Sequence, residues 1–477
     1  MAHHEVTVRD LLKRIREEEI EFVDLKFIDL FGGLQHIAFP AAALDEGSFV
    51  RGVNFDGSSV RGFQAISESD LLLKPDVRSV FRDPFFDEAT LSLFCDIIDP
   101  DGYKPYSRDP RGVAHRAERL IRSLGLADSA SIGVEMEFYL FDDVRFAQGR
   151  DHGFYFIDSG TAEPGSTGVG GPGRGHRPRR KNAYFAAPPL DRFHNLRGKI
   201  SKLMEVTGLE PEMSHHEVGA AGQNEIGFRH ATLGQSADNA VKFKYVVKNT
   251  AARYGKTATF MPKPLLEEAG SGMHTNVSLW QQGKNLFYES GRYADLSSFA
   301  THFVGGVLKH APAICAFSAP TTNSYRRLVP GYEAPVILVY SQRNRSACIR
   351  VPFTGANANA KRIEFRTPDP SCNPYLSLAA ILLAGIDGVR NRIEPAPPVD
   401  ENIYEFATSE HGRVLQATPS SLVQALDALE DDYGFLVQDG VFTEDLIDAW
   451  LRTKREKEIE YLGLRPHPTE FELYFDA

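Results

Sequence analysis

The sequence contains little cysteine, with four among its 477 residues: Cys95, Cys315, Cys348 and Cys372. No two of them stand close enough in the chain to form a CxxC pair, which excludes a zinc knuckle and a thioredoxin-like redox motif. A core of this size needs no disulfide bonds. The simplest setting for such a chain is a reducing cytoplasm.

The sequence also lacks a long hydrophobic run. The most apolar stretch, residues 375–389, is interrupted by Ser377, Gly385 and Asp387 and is shorter than the ~20 residues that span a bilayer. The first ten residues lack the apolar segment of a signal peptide. We therefore expect neither membrane insertion nor export.

An excess of positive charge is absent as well. Lys and Arg number 53 against 64 for Asp and Glu, so the formal net charge is −11, which argues against a nucleic-acid binder. Hydrophobic residues make up 42% and charged residues 25%, a composition typical of globular proteins and not of disordered chains. The length allows two or three domains.

The pattern of the chain predicts an α+β protein with two domains. Residues 8–15 have helical spacing, with Thr7 as N-cap, and residues 23–27 and 91–97 alternate like strands. Residues 99–112 are dense in Pro, Gly and Asp, which places a boundary there and gives domains 1–104 and 105–477. Further helices are predicted over 236–255 and from Pro374, Thr418-Pro419 and Thr443.

Residues 160–181 contain a G-x-G-x-x-G sequence formed by Gly168, Gly170 and Gly173. A dinucleotide site needs a helix after this motif, and Pro172 and Pro178 oppose one. We interpret the segment, with the basic run that follows it, as a surface loop.

The strand-like stretch 131–142 carries two carboxylates on one face. Its apolar residues alternate with Glu135 and Glu137, which are then roughly 7 Å apart along the strand. Like charges this close favour a bound divalent cation with oxygen ligands. The alternative is an exposed strand edge.

Three further stretches repeat this design. Glu217 and Glu225 flank a GAAG sequence that suits a hairpin, across which they can face each other. His274 shares a polar strand face with Asn276 and Ser278, although a lone histidine is more often structural. Arg362, Glu364 and Arg366 form the polar face of the last stretch.

Five glutamates and one histidine are enough for two metal sites with three ligands each, and two divalent ions are the equipment of phosphoryl transfer. Arginines suited to phosphate and carboxylate oxygens also occur nearby in sequence: Arg326, Arg327, Arg343, Arg345, Arg350 and Arg366. Because no Walker A motif or kinase catalytic loop is present, a nucleotide would be held by metal and arginine.

These stretches, among them NFDGSS, GVEMEF, HHEVGAAGQNEIGFR, GSGMHTNVSLW and RIEFRTPDPSCNPYL, make the chain similar to the bacterial type I glutamine synthetase family over nearly its whole length. The resemblance implies ATP-dependent ligation of ammonia to L-glutamate through a γ-glutamyl phosphate. It also implies two Mg²⁺ or Mn²⁺ ions, one held by Glu137, Glu217 and Glu225 and the other by Glu135, His274 and Glu364.

The resemblance assigns further roles by position. The implied catalytic residues are Asp56, which binds ammonium and helps to remove its proton, Glu333, on a flap over the intermediate, and Arg345. The implied glutamate-binding residues are Gly270, Arg327, Glu333, Arg345 and Arg366. The implied nucleotide-binding residues are Glu212, Asn276, Ser278, Arg345 and Arg350.

The family architecture implies a small N-terminal β-grasp domain and a large catalytic domain built on a partial antiparallel β-barrel with surrounding helices. It further implies a dodecamer of two hexameric rings, with active sites between subunits, Asp56 supplied by the neighbour and the C-terminal tail reaching the opposite ring. Tyr404 falls at the position of a modified tyrosine.

The chain departs from the family pattern at Asn359, Asn276 and Ala269, where lysine, histidine and asparagine are common. These departures leave two alternatives open. One is a ligase that joins glutamate to a larger amine such as a polyamine, against which Asp56 and Glu333 argue. The other is a non-catalytic assembly protein, against which the six intact ligand positions argue.

Overall fold

The structure, a computed structural model, describes residues 6–161, 175–332, 334–401 and 415–477. Glu333 and Tyr404, and the three glycines of the G-x-G-x-x-G sequence, lie outside the described residues. Among the described residues, no helix is both long enough and apolar enough to cross a membrane.

The N-terminal part of the chain folds around one mostly antiparallel sheet. Helix α1 (Val8–Glu17) precedes it and is capped by Thr7 in a reciprocal arrangement with Asp10; a second helix, α2, spans Glu46–Arg51. The strands run in the order β2-β1-β6-β4-β3, with β5 and β7 also paired to β6 and with β1 and β6 parallel. Their bounds are β1 Phe22–Ile28, β2 Leu34–Pro40, β3 Val53–Asp56, β4 Asp70–Pro75, β5 Phe81–Arg82, β6 Thr90–Asp99 and β7 Lys104–Pro105.

The larger sheet positions the site. Its order is β11-β12-β8-β14-β18-β17-β16, with β13 on β8 and β15 on β14, and its pairs are antiparallel except for β16 with β17. The hairpin β9-β10 stands apart. The bounds are β8 Ser129–Phe141, β9 Asp143–Gln148, β10 Gly153–Asp158, β11 Pro211–His216, β12 Gln223–Phe228, β13 Thr257–Thr259, β14 Met273–Gln281, β15 Lys284–Asn285, β16 Tyr340–Gln342, β17 Ile349–Val351 and β18 Ile363–Phe365.

Helices pack around this sheet, and two of them approach to backbone contact. A Cβ atom built on Gly306 of α6 would lie 2.1 Å from the carbonyl oxygen of Ala384 on α8, so only glycine fits there. The bounds are α3 Pro110–Ser123, α4 His194–Val206, α5 Leu233–Arg253, α6 Ser298–Ser318, α7 Ser324–Arg327, α8 Pro374–Asn391, α9 Leu422–Asp431, α10 Gly434–Val437, α11 Glu444–Lys454, α12 Glu460–Gly463 and α13 Pro468–Tyr474.

The predicted α+β class is confirmed, and so are the helices that begin at Pro374 and after Thr443. Two predicted starts are wrong. Helix α5 begins at Leu233, because Ser236 is buried inside its first turn and donates to the Ile132 carbonyl oxygen. Helix α9 begins after Ser421, because the Thr418 amide is held by the Val336 carbonyl oxygen.

The predicted boundary between residues 104 and 105 falls inside β7, the last strand of the first sheet, and α3 begins five residues beyond that strand. The division into domains 1–104 and 105–477 stays a prediction.

Candidate active site

Strand β8 lies in the middle of the larger sheet and supplies two carboxylates to one of its faces. Its alternating apolar residues are buried, as the sequence pattern predicts. On the opposite face, Glu135 lies in register with His274 on β14, and Glu137 lies in register with Glu225 on β12. The acidic and imidazole groups of separate stretches are thus brought together across neighbouring strands.

The first cluster consists of Glu135, His274 and Glu364, whose ligand atoms lie within 4.8 Å of one another. The Nδ1 atom of His274 is 3.6 Å from a Glu135 oxygen and 3.8 Å from a Glu364 oxygen. Burial lowers the pKa of His274 well below its usual value, which favours the neutral imidazole that a metal ion needs. These three residues can hold a divalent cation.

Two arginines compensate the charge of the first cluster. Arg366 donates to one Glu364 oxygen at 2.6 Å, and Arg350 pairs with the other. Burial alone would raise the pKa of Glu364, but the charges of Arg366 and Arg350 help to outweigh it, and that pKa is lowered. Glu364 is therefore ionised without a metal ion.

The second cluster consists of His215, Glu217 and Glu225, again within 4.8 Å. His215 lies 3.6 Å from a Glu217 oxygen and 3.8 Å from a Glu225 oxygen. Burial, and then the nearby charges of Glu137 and Glu217, raise the pKa of Glu225 to about 10. Among the described residues, no lysine or arginine forms an ion pair with Glu225.

The hairpin predicted around the GAAG sequence is confirmed by the pairing of β11 with β12. The residue directly opposite Glu225 is His215, and Glu217 follows at the end of β11. Sequence reasoning missed His215. The signal was its spacing of two residues from Glu217, which places both side chains on one face of a strand.

Glu137 lies beside the second cluster but outside the trio whose ligand atoms converge. Its Oε2 atom accepts hydrogen bonds from the Gly272 amide at 2.9 Å and from Gln223 Nε2 at 3.1 Å. Its Oε1 atom lies 4.0 Å from the Nε2 atom of His274. Burial raises its pKa to about 7. Its predicted role as a metal ligand stays a prediction.

A cavity of about 170 Å³ opens on one side of the clusters and is lined by Glu137, Gly270, Arg327 and Arg366, among others. A Cβ atom on Gly270 would lie 2.7 Å from the Arg327 Cγ atom, so glycine alone permits this close approach. Buried Arg327 donates to the carbonyl oxygens of Thr367 and Arg366 at 2.8 and 2.9 Å, which fixes its guanidinium. The predicted glutamate-binding residues Gly270, Arg327 and Arg366 are thus adjacent.

A second cavity of about 340 Å³ opens on the other side and is lined by Glu135 and by the predicted nucleotide residues Glu212, Asn276 and Ser278. Asn276 donates to Glu135 at 3.0 Å and accepts from Arg362 Nε at 2.9 Å, so it links the cavity to the first cluster. The sequence pattern places Arg362 on the polar face of its strand but does not indicate a role for it. The departure Asn359 lines this cavity, and Ala269 lines the other.

Two predicted catalytic residues lie outside both cavities. Asp56 is exposed at the end of β3, where hydrogen bonds from Ser58 and Ser59 lower its pKa. Arg345 is exposed 6.0 Å from the ring of Tyr184, and its charge contributes to the lowered pKa values of His215 and His274. Arg345 therefore lies near the clusters, whereas the hydrogen bonds of Asp56 are local to its own turn.

Comparison with known proteins agrees with this geometry. A family model described as "Glutamine synthetase, catalytic domain" matches residues 107–474, and one described as "Glutamine synthetase, beta-Grasp domain" matches residues 19–100. The glutamine synthetase of Streptomyces coelicolor is 53% identical over 468 residues, which cover 98% of this chain and 99% of the relative.

Solved structures give the same result. Plasmodium falciparum glutamine synthetase, solved by cryo-electron microscopy, is 28% identical with a TM-score of 0.91 and covers 98% of this chain and 99% of its own. A complex of GmaS with ADP is 30% identical with a TM-score of 0.82 and covers 98% and 100%.

The fold and the paired clusters define a ligase with an N-terminal β-grasp domain and a half-barrel catalytic domain. The chain belongs to the glutamine synthetase family. The predicted glutamine synthetase activity is confirmed, and use of ATP and a divalent metal follows from the family.

Proposed function

We propose that the residues described above carry out the ligation of ammonia to L-glutamate in two stages. The γ-carboxylate oxygen of glutamate attacks the γ-phosphorus of ATP, which releases ADP and leaves a γ-glutamyl phosphate. The nitrogen of ammonia then attacks the γ-carbon, and inorganic phosphate leaves as the C–O bond breaks. The observation that carries the proposal is the position of both clusters between two cavities, one suited to each substrate.

The donors present fit hard divalent ions. Carboxylate oxygens with one imidazole per site suit Mg²⁺ or Mn²⁺, the two ions that we propose. Glu135, His274 and Glu364 would hold one ion, and Glu217 and Glu225 with Glu137 the other, with His215 in reach of the latter. When bound, such ions neutralise the charge of the transferring phosphoryl group.

The chain's own residues orient the substrates. We assign glutamate to the cavity at Gly270, where Arg327 and Arg366 offer positive charge to its carboxylates. ATP fits the cavity at Glu212, Asn276 and Ser278, from which its phosphates would reach Arg350 and Arg345. The matching fold of the GmaS complex with ADP supports a nucleotide on this scaffold. Two fixed cavities align donor and acceptor, which lowers the entropic part of the barrier.

Ammonium has no lone pair, so it must lose a proton before it attacks. We propose Asp56 as the group that binds ammonium and assists that loss, because its hydrogen bonds keep it ionised. Its local contacts within one chain fit a role in the site of a neighbouring subunit. We propose Glu333 as the flap residue that shields the acyl phosphate from water.

We propose a dodecamer of two hexameric rings. Support comes from apolar side chains left exposed at the C-terminus, including Leu464 at 82% and Phe475 at 77%, and on the β9-β10 hairpin, where Phe146 is 78% exposed. Large exposed apolar groups of this kind mark interaction surfaces. We also propose Tyr404 as a modification site, and a reducing cytoplasm as the setting of four free, buried cysteines.

The test is phosphate release with glutamate, ATP and Mg²⁺ in the presence of ammonium, putrescine or ethanolamine. We expect turnover with ammonium, reduced in Asp56→Asn and unchanged in the matched exposed variant Asp101→Asn. Turnover with the larger amines alone would overturn the proposal in favour of an amine ligase. Light scattering tests the assembly, and a mass near that of one chain would contradict the dodecamer.

A further inference from the structure

A cavity of about 770 Å³ lies away from the two clusters, where the two sheets' domains meet. Its walls are the segment after β4, the middle of β6, helix α3, the residues after α4 and the first turns of α5. None of the six cluster residues, nor Glu137, lines it. Its volume is in the range of small-molecule sites.

The face of α5 that borders the cavity is polar, although most of it is buried. Gln235, Asn239 and Lys242 follow one another at spacings of four and three residues, so they share one side of the helix. Asn239 and Lys242 are each only 9% exposed. Buried helix faces are normally apolar, and buried polar groups are normally hydrogen-bonded.

These two side chains have unused donors. Within the described ranges, the side-chain amide of Asn239 makes no hydrogen bond. The Lys242 ammonium makes one, to the Thr207 carbonyl oxygen at 3.0 Å. Lys242 also lies 5.0 Å from the centre of the Phe81 ring. An ammonium has three N–H donors, so two of them remain for the cavity.

The acidic residues of the cavity are already occupied. Arg111 reaches Asp76 at 2.8 Å, Asp96 at 2.6 Å and Asp238 at 2.9 Å. Glu118 accepts the Gly234 amide at 3.0 Å. The polar groups of the cavity that remain for a ligand are therefore mainly hydrogen-bond donors.

A further cation stands at the rim. Arg119 on α3 is exposed, lines the cavity and forms no hydrogen bond or ion pair with any residue that the structure describes. An arginine in this position suits the oxygens of a carboxylate or phosphate group.

We propose that this cavity binds a small anion through a carboxylate or phosphate group, held by Lys242 and Asn239 with Arg119 at the entrance. Because Arg111 ties Asp76 and Asp96 of the N-terminal part to Asp238 of α5 at the same cavity, a ligand here stabilises the position of the N-terminal domain relative to the catalytic domain. The site is separate from the catalytic cleft and acts on domain arrangement.

Isothermal titration of the full chain with inorganic phosphate, and separately with malonate, tests the proposal. We expect saturable binding of at least one anion, weakened at least about tenfold in Lys242→Met and in Asn239→Leu, as loss of a charge-assisted hydrogen bond implies. The two arms decide between phosphate and carboxylate chemistry. Lys248→Met, on the same helix but outside the cavity, should bind as the wild type does.

A different variant distinguishes phosphate bound in the catalytic cleft from phosphate bound in this cavity. Arg345→Met should weaken cleft binding and leave binding at Lys242 intact. Binding of neither anion to the wild type, or binding that Lys242→Met and Asn239→Leu leave unchanged, would overturn the proposal. Should Lys242→Met fail to fold, Asn239→Leu decides alone, because it removes no charge.

Discussion

The two clusters of the active site contain the same kinds of residue but differ in how their charge is balanced. In the first, Arg350 and Arg366 neutralise Glu364 and lower its pKa. In the second, burial and neighbouring carboxylates raise the pKa of Glu225 to about 10. The first cluster is held together by the protein itself, whereas the second depends on a cation or on protons.

Removal of metal should have the largest effect, because both clusters then lose their function together. Dialysis against EDTA should bring glutamine synthesis to background, and Mn²⁺ should restore it. Titration calorimetry of the stripped protein should show two unequal binding events. Full activity in EDTA, or two identical sites, would contradict the comparison.

Neutral substitutions should change stability with opposite signs in the two clusters. Without metal at pH 8, Glu364→Gln should lose roughly 3 kcal/mol, because two arginines are left without their partner. Glu225→Gln should gain about 1 kcal/mol or more, because Glu225 must take up a proton on folding at pH 8, whereas glutamine need not. Chemical denaturation measures both.

Glu364→Gln and Glu225→Gln are matched variants, because each replaces one buried carboxyl group by an amide of the same shape. A loss of stability in both variants would show that the second cluster is also balanced by groups of the protein. Restoring Mn²⁺ should reverse the advantage of Glu225→Gln.

Glu137 and His215 are the two candidates for the third ligand of the ion that Glu217 and Glu225 would hold. If Glu137 completes the set, Glu137→Gln should weaken Mn²⁺ binding at this site more than His215→Ala does. In that case His215→Ala should lower the affinity for Mn²⁺ by only about 10- to 100-fold, the effect typical of residues that support metal ligands without binding the ion. The reverse order would assign the position to His215.

Stability without metal should also depend on pH, with a smaller effect. The folded state raises the pKa of Glu137 from 4.5 to about 7 and that of Glu225 to about 10, so it binds these protons more tightly than the unfolded chain does. The free energy of unfolding should therefore fall as pH rises from 6 to 7, by about 2 kcal/mol for the two groups together. Thermal unfolding in EDTA should show the decline, and Glu225→Gln should roughly halve it, because the contribution of Glu137 remains. A rise in stability over this interval would contradict the assignment.

Strand alternation was sufficient to predict much of the site. The faces of β8, β14 and β18 follow from period-two patterns, and the hairpin at Gly222 follows from its glycines. The alternation alone therefore predicts that all four stretches contribute to one polar surface.

Other features depend on register, which no local pattern contains. His215 faces Glu225 only because β11 and β12 pair in one particular register. The helix start at Leu233 differs from the predicted one because a tertiary hydrogen bond draws Ser236 inward. The donor-rich cavity at Lys242 joins residues more than a hundred positions apart, so sequence alone could not reveal it.

Strand β8 contributes one carboxylate to the first cluster and presents the next one, two residues on, beside the second. The separation between the two sites is consequently set by the two-residue repeat of an extended strand. Bond lengths and angles fix that repeat, so thermal motion changes it little. A movement of the loops around the cleft would therefore leave the spacing of the two sites unchanged.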